Sequence, residues 1–150
     1  MRSLFIIIIV LFASLPACRT RNPEDRSHEV IEADMAFSDQ SVKEGRNRSF
    51  LAWCAGDGVL LRANSYPIEG KVKIQELLSR PDTSYILTWK PMYGYVAESG
   101  ELGYTYGTWE LTVKATGIKS EGTYATVWKK DKQGNWRWVL DTGNDGLKEH

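Results

Sequence analysis

Three kinds of patterning follow one another along the chain. Leu4 to Leu15 is an almost unbroken apolar run, residues 27 to 80 repeat apolar positions at helical spacing, and residues 85 to 143 carry alternating aromatic and β-branched residues between turn signals. In the middle region, Ser27 is a plausible N-cap and Gly45 ends the first run, which predicts a helix between them. At 100° per residue, Val30, Ile31, Ala33, Met35, Phe37 and Val42 share one broad face, and Glu29, Glu32, Asp39 and Lys43 the other. The apolar arc also contains Asp34, Ser38 and Ser41. A carboxylate there must be hydrogen-bonded, shift its pKa or face a wet cavity. A second helix is expected over Arg48 to Ala55, capped by Asn47, with Phe50, Leu51 and Cys54 buried. Gly56-Asp57-Gly58 then reads as a turn into a strand from Val59 to Ala63, and Tyr66 to Glu69 as a second extended piece. Gly70 opens a third helix through Val72, Ile74, Leu77 and Leu78, which Pro81 stops.

The remainder reads as four strands: Tyr85–Glu98, Leu102–Lys114, Thr123–Lys130 and Trp136–Thr142. Turns at Ser99-Gly100, Thr116-Gly117 and Gln133-Gly134-Asn135 make consecutive hairpins, so this part of the sheet is antiparallel. Pro91 removes a ladder donor and implies an edge or a bulge. Gly103 and Gly107 imply crowding or sharp curvature. Helices followed by a bent antiparallel sheet give an α+β domain, the sheet wrapped as a cone around three N-terminal helices.

The apolar run at the start follows Arg2 and leads to Leu15-Pro16-Ala17-Cys18. A charged start, a short apolar core and a small-residue exit make a secretory signal, and the run is too short to span a bilayer. The small residue before Cys18 resembles a bacterial lipobox. That resemblance implies cleavage after residue 17, lipidation of Cys18 and attachment to the cell envelope, facing the periplasm. Residues 18–27 are polar and read as a flexible tether, 28–145 as the domain and 146–150 as a tail. The 150-residue chain balances 19 basic against 19 acidic residues, which argues against a nucleic-acid partner. Its second cysteine, Cys54, stands beside Trp53 with no histidine near it in sequence and reads as a buried, inert thiol.

Several phrases, in order, are similar to a bacterial subgroup of the nuclear-transport-factor-2-like, or SnoaL-like, superfamily. They are Ala-Asp-Met-Ala-Phe at 33–37, Asp-Gly-Val-Leu-Leu at 57–61, Trp-Lys-Pro at 89–91, Leu-Gly-Tyr-Thr-Tyr-Gly at 102–107, Tyr-Ala-Thr-Val-Trp-Lys at 124–129 and Trp-Arg-Trp-Val-Leu-Asp-Thr-Gly at 136–143. The resemblance covers residues 28 to 145 and implies the cone-shaped fold and pairing of two copies. It carries no assigned catalytic residue, because the subgroup is largely of unassigned function.

The candidate chemistry is therefore read from the residues. The two histidines, His28 and His150, sit at the ends of the domain, so neither a metal site nor a histidine dyad is expected. No phosphate loop or nucleophile elbow occurs, and no cofactor is implied. Asp34 and Asp141 are the candidate acid–base residues. Asp141 shares a strand face with Arg137 by simple alternation, and Asp-Thr-Gly also reads as a strand-ending turn. The chain has six tryptophans and seven tyrosines. Trp53, Trp89, Tyr104, Tyr106 and Trp128 are the candidate ligand contacts of an aromatic-lined pocket. Tyr104 and Tyr106 are expected to face Asp34 across the cone. The expected function is a lipid-anchored, non-catalytic domain binding a small apolar molecule or a partner. An acid–base enzyme of isomerase, cyclase or hydrolase type and a structural dimerisation module are the alternatives. Cys18→Ser is expected to release the protein from membranes, read by fractionation; a variant that still pellets with them would remove the lipid anchor.

Overall fold

A computed structural model describes residues 26–80 and 82–147. The expected signal peptide, Cys18, most of the tether, Pro81 and His150 lie outside the described residues. Three helices, α1 (Ser27–Glu44), α2 (Arg46–Trp53) and α3 (Lys71–Leu77), pack on a sheet of β1 (Cys54–Leu60), β2 (Ile68–Glu69), β3 (Tyr85–Val96), β4 (Leu102–Val113), β5 (Lys119–Lys130) and β6 (Trp136–Asp145). The strand order is β2-β1-β6-β5-β4-β3. Strands β3 to β6 form antiparallel hairpins as expected, while β1 joins β6 in parallel. The sheet is curved and unclosed, in an α+β domain.

The early elements differ from the expected boundaries. Helix α2 starts at Arg46, with Gly45 at its N-cap at φ 90°. The Asp82 carboxylate accepts from the Asn47 backbone N–H at 2.7 Å, so this helix start is capped by a residue 35 positions away, not by Asn47. Gly56-Asp57-Gly58 lies inside β1. Pairing with β6 holds it extended despite its turn-like composition, with an irregular register between Cys54 and Val59. Cys54 is buried, and burial pushes its thiol up to about 11.

Helix α1 docks through its polar stripe. Val30, Asp34, Phe37, Ser38 and Ser41 are buried, whereas Met35 and Val42 are half exposed. β3 is the edge strand, and its free backbone groups point at the helix. Ser38 Oγ accepts from Trp89 N at 2.9 Å, and Ser41 Oγ donates to Leu87 O at 2.8 Å. The two serines thus pair edge groups of β3 that the helix covers and partly shields from water. A Cβ on Gly94 would lie 2.6 Å from Ile31 Cγ1, so the approach of α1 to β3 requires glycine there.

Pro91 lies on this edge strand, and the β3–β4 register shifts between Pro91 and Tyr93. Opposite Pro91, a Cβ on Gly107 would collide with the Lys90 carbonyl oxygen. The core is aromatic: Phe37 contacts Phe50, Trp53, Trp89 and Trp128 with ring centroids 4.5–6.0 Å apart. Such tilted and edge-on pairs add to the large apolar area each ring buries.

Ser38→Ala would leave the half-buried Trp89 amide without its Ser38 acceptor. Its unfolding free energy is expected to fall by about 1–3 kcal/mol in urea titration; a variant as stable as wild type would show that the edge pairing contributes little.

Candidate functional site

A cavity of about 830 Å³ opens between the concave face of the sheet, α2 and α3. Its walls are apolar over Leu60, Ile68, Leu87, Leu111, Trp89 and Trp109, and also carry polar and charged groups, among them Arg46, Arg62, Tyr124, Asp141, Asn144 and Asp145. Asp141 reaches this wall because of a bulge in β6. Val127 pairs with Leu140 and Trp128 with Trp138, leaving Val139 unmatched. The extra residue flips the alternation. Trp136, Trp138 and Asp141 therefore face inward, and Leu140 leaves the face of the tryptophans.

Two sequence expectations for Asp141 are corrected by that geometry. Strand β6 continues to Asp145, so Asp141 lies mid-strand and not in a turn. Arg137 is on the other face, paired with Asp131 at 3.1 Å and donating to Ala52 O at 3.0 Å. Asp141 is 9% exposed and accepts from Thr126 Oγ1 at 2.7 Å. Burial pushes its carboxyl up to about 7, and the Asp34 charge adds to this; the Thr126 bond and the Arg46 charge oppose it.

Asp34 is fully buried and lies behind the cavity wall. Its Oδ1 accepts from Trp89 Nε1 and its Oδ2 from Tyr124 Oη, both at 2.7 Å. A bond to the Thr105 hydroxyl adds a third contact, and Thr105 Oγ1 in turn accepts from Trp128 Nε1 at 2.9 Å. Burial raises the Asp34 pKa against these bonds. Burial, with the Asp34 charge, likewise raises that of Tyr124, keeping it a neutral phenol. Asp34 thus orients two residues of the wall, Trp89 and Tyr124, without touching the cavity itself.

The other candidates separate by face. Trp89 lines the cavity. Trp128 is fully buried core, and Trp53 packs on it with its Nε1 donating to Gln40 Oε1 at 2.8 Å. Tyr104 and Tyr106 alternate with the inward Gly103, Thr105 and Gly107 and lie on the outer face, 40% and 46% exposed. There they meet Tyr93 and Tyr95 at ring distances of 5.5–6.1 Å. The expectation that they face Asp34 is corrected: single-residue alternation puts them on the side opposite Thr105, which Asp34 contacts.

Sequence reasoning passed over Tyr124, Thr126 and Arg46. Tyr124 and Thr126 share the parity of the inward Trp128, a signal that was available. Arg46, in a polar run at a helix start, offered none. Among the described residues, no group of three or more His, Cys, Asp or Glu side chains is placed to hold a metal ion. Nor is any helix there long and apolar enough to cross a membrane.

No protein-family model matches the chain, and no curated protein matches it. Solved structures do resemble it. A ketosteroid isomerase-like protein from Erwinia carotovora atroseptica superposes with a TM-score of 0.63 at 18% identity, over 80% of this chain and 96% of that one. A nuclear transport factor 2-like superfamily protein from Salmonella enterica gives 0.64 at 15% identity, over 85% and 95%. An LEH-like epoxide hydrolase of M. tuberculosis gives 0.56 at 20% identity, over 82% and 81%. The chain has the nuclear-transport-factor-2-like fold, as its motifs suggested.

The raised carboxyl of Asp141 has a consequence for stability. Unfolded, the group titrates near the ordinary 3.8; folded, it keeps its proton to about 7. Between these values the folded chain binds more protons, so stability is lost as pH rises from about 4 to 7. Asp141→Asn keeps an oxygen for the Thr126 bond and carries no charge. Its stability is expected to match wild type near pH 4 and to exceed it above pH 7, by on the order of 4 kcal/mol at most. Thermal melts across pH check this, and parallel curves would remove the shift.

Proposed function

We propose that this nuclear-transport-factor-2-like domain binds a small, mostly apolar molecule in its cavity and that Asp141 acts there as a general base. The observation that carries the reading is the position of Asp141, on the wall of a partly apolar cavity with no ion-pair partner within 4.0 Å among the described residues, where burial pushes its carboxyl up to about 7. A base poised near neutrality combines an available ionised form with useful basicity. The reaction class is proton transfer at a carbon beside a carbonyl. The Asp141 carboxylate takes the proton, the C–H electron pair moves toward the carbonyl oxygen, and the protonated Asp141 returns the proton to the same or a neighbouring carbon. Thr126 holds Oδ2 of Asp141 at 2.7 Å and so fixes the direction of the base. The isomerase-like and epoxide hydrolase neighbours act as support by analogy only.

A pocket that binds without catalysis is the second reading. Trp89 Nε1 and Tyr124 Oη both spend their protons on Asp34, which leaves few donors for a developing oxyanion. We also propose that lipidation at Cys18 holds the domain to the periplasmic face of the envelope, and that two copies pair through the outer face of the sheet. The half-exposed Tyr93, Tyr95, Tyr104 and Tyr106 support that pairing.

The test is α-hydrogen exchange in heavy water, followed by NMR over a panel of cyclic, steroid-like and polyketide-like ketones. Wild type is expected to exchange at least one member, with a rate that rises to a plateau above about pH 7 and falls roughly 10²–10⁴-fold in Asp141→Asn. Equal rates in the two proteins, or no exchange above buffer for any member, would favour binding alone.

A further inference from the structure

Arg46, the first residue of α2, stands on the cavity wall with Asp141. Two contacts hold its guanidinium in place. Nη1 donates to the Tyr85 hydroxyl at 3.1 Å, and the guanidinium carbon lies 5.2 Å from the centre of the Phe50 ring. The geometry leaves the cation without an anion. Its Nε is buried with no hydrogen-bond partner, and none of the ion pairs among the described residues involves Arg46. Asp141 feels its charge but does not contact it, being bonded instead to Thr126.

A partly buried guanidinium with no carboxylate in contact is costly unless something supplies an anion. With Nε sealed from the cavity, the terminal nitrogens are the edge a ligand can meet, and their N–H groups suit a planar, two-oxygen anion. The surrounding wall is aliphatic and aromatic, from Leu60, Ile68, Leu87 and Leu111 to Trp89 and Trp109. That part of the wall suits hydrocarbon, while Arg62 and Asp145 also line the cavity. The nearby Asp141 carboxylate disfavours a dianion over a monoanion.

We propose that Arg46 anchors the carboxylate of an otherwise apolar monocarboxylic acid whose hydrocarbon body fills the cavity beside Asp141. This rests on the small-molecule reading of the cavity and names the class of molecule it takes. The carboxylate accepts from the terminal guanidinium N–H groups of Arg46, the Tyr85 bond fixes the position of the group, and the apolar chain displaces water from the leucine and tryptophan wall.

Calorimetric titration with decanoate, decanamide and decyl phosphate tests the proposal at pH 7.5. Wild type is expected to bind decanoate about tenfold or more tightly than decanamide, since the charge-assisted bonds are lost in the amide. Arg46→Gln should bring the two affinities together, while Arg46→Lys keeps part of the preference; thermal melts establish that both variants fold. Asp141→Asn should retain the preference. Equal binding of decanoate and decanamide by wild type, a preference that survives Arg46→Gln, or tighter binding of decyl phosphate overturns the carboxylate anchor and leaves the apolar pocket standing. Binding of none of the three overturns the anchor together with the pocket. Loss of ketone exchange in Asp141→Asn is read separately and concerns only the base.

Discussion

The structure depends on the docking of a polar stripe of α1 onto the edge of the sheet. Asp34, Ser38 and Ser41 recur at intervals that place them on one helical face, and all three are buried. The serines satisfy backbone groups of Leu87 and Trp89 on β3, and the aspartate satisfies the indole of Trp89. Edge-strand groups covered by a helix and a buried carboxylate are each unfavourable alone. Brought together, they supply what the other lacks. The helix is thereby fixed against the end of the sheet, and its Phe37 enters the aromatic core.

The same contact shapes the cavity. By holding Trp89 Nε1 and Tyr124 Oη, Asp34 orients an indole and a phenol whose other surfaces form the wall. Asp141 arrives on the interior strand β6, just past the bulge at Val139, and meets Thr126. Thr105 and Thr126 are cross-strand partners, so both carboxylates are served by one row of threonines across β4 and β5. Burial dominates both carboxyl groups. Asp34 is surrounded by donors and sealed, whereas Asp141 has one donor and an open side. That difference in surroundings, and not residue type, gives one a positioning role and the other access to a ligand.

Much of this was legible in the sequence. The hairpins from Tyr85 onward, the edge or bulge at Pro91 and the crowding at Gly107 follow from local chemistry. The polar residues inside the first helical arc marked the stripe. Tyr124 and Thr126 could have been assigned from their parity with Trp128. The outer tyrosines could not be told from inner ones, because aromatic character is the same on both faces and only the inward Thr105 separates them. The first strand was hidden for another reason. Gly56-Asp57-Gly58 is turn-like by composition, and only its pairing with β6 keeps it extended.

By itself, the sequence determined the element types, the order of the hairpins and the polar helical stripe, since these rest on periodicity and turn chemistry within short windows. Only the tertiary structure decided which carboxylate reaches the cavity. That choice depends on one unmatched residue, Val139, which reverses the facing of everything after it. It depends also on a bond between Asp34 and Tyr124, ninety positions apart. Alternation is a local rule; a bulge and a buried hydrogen bond are defined by neighbours that the chain brings together only on folding.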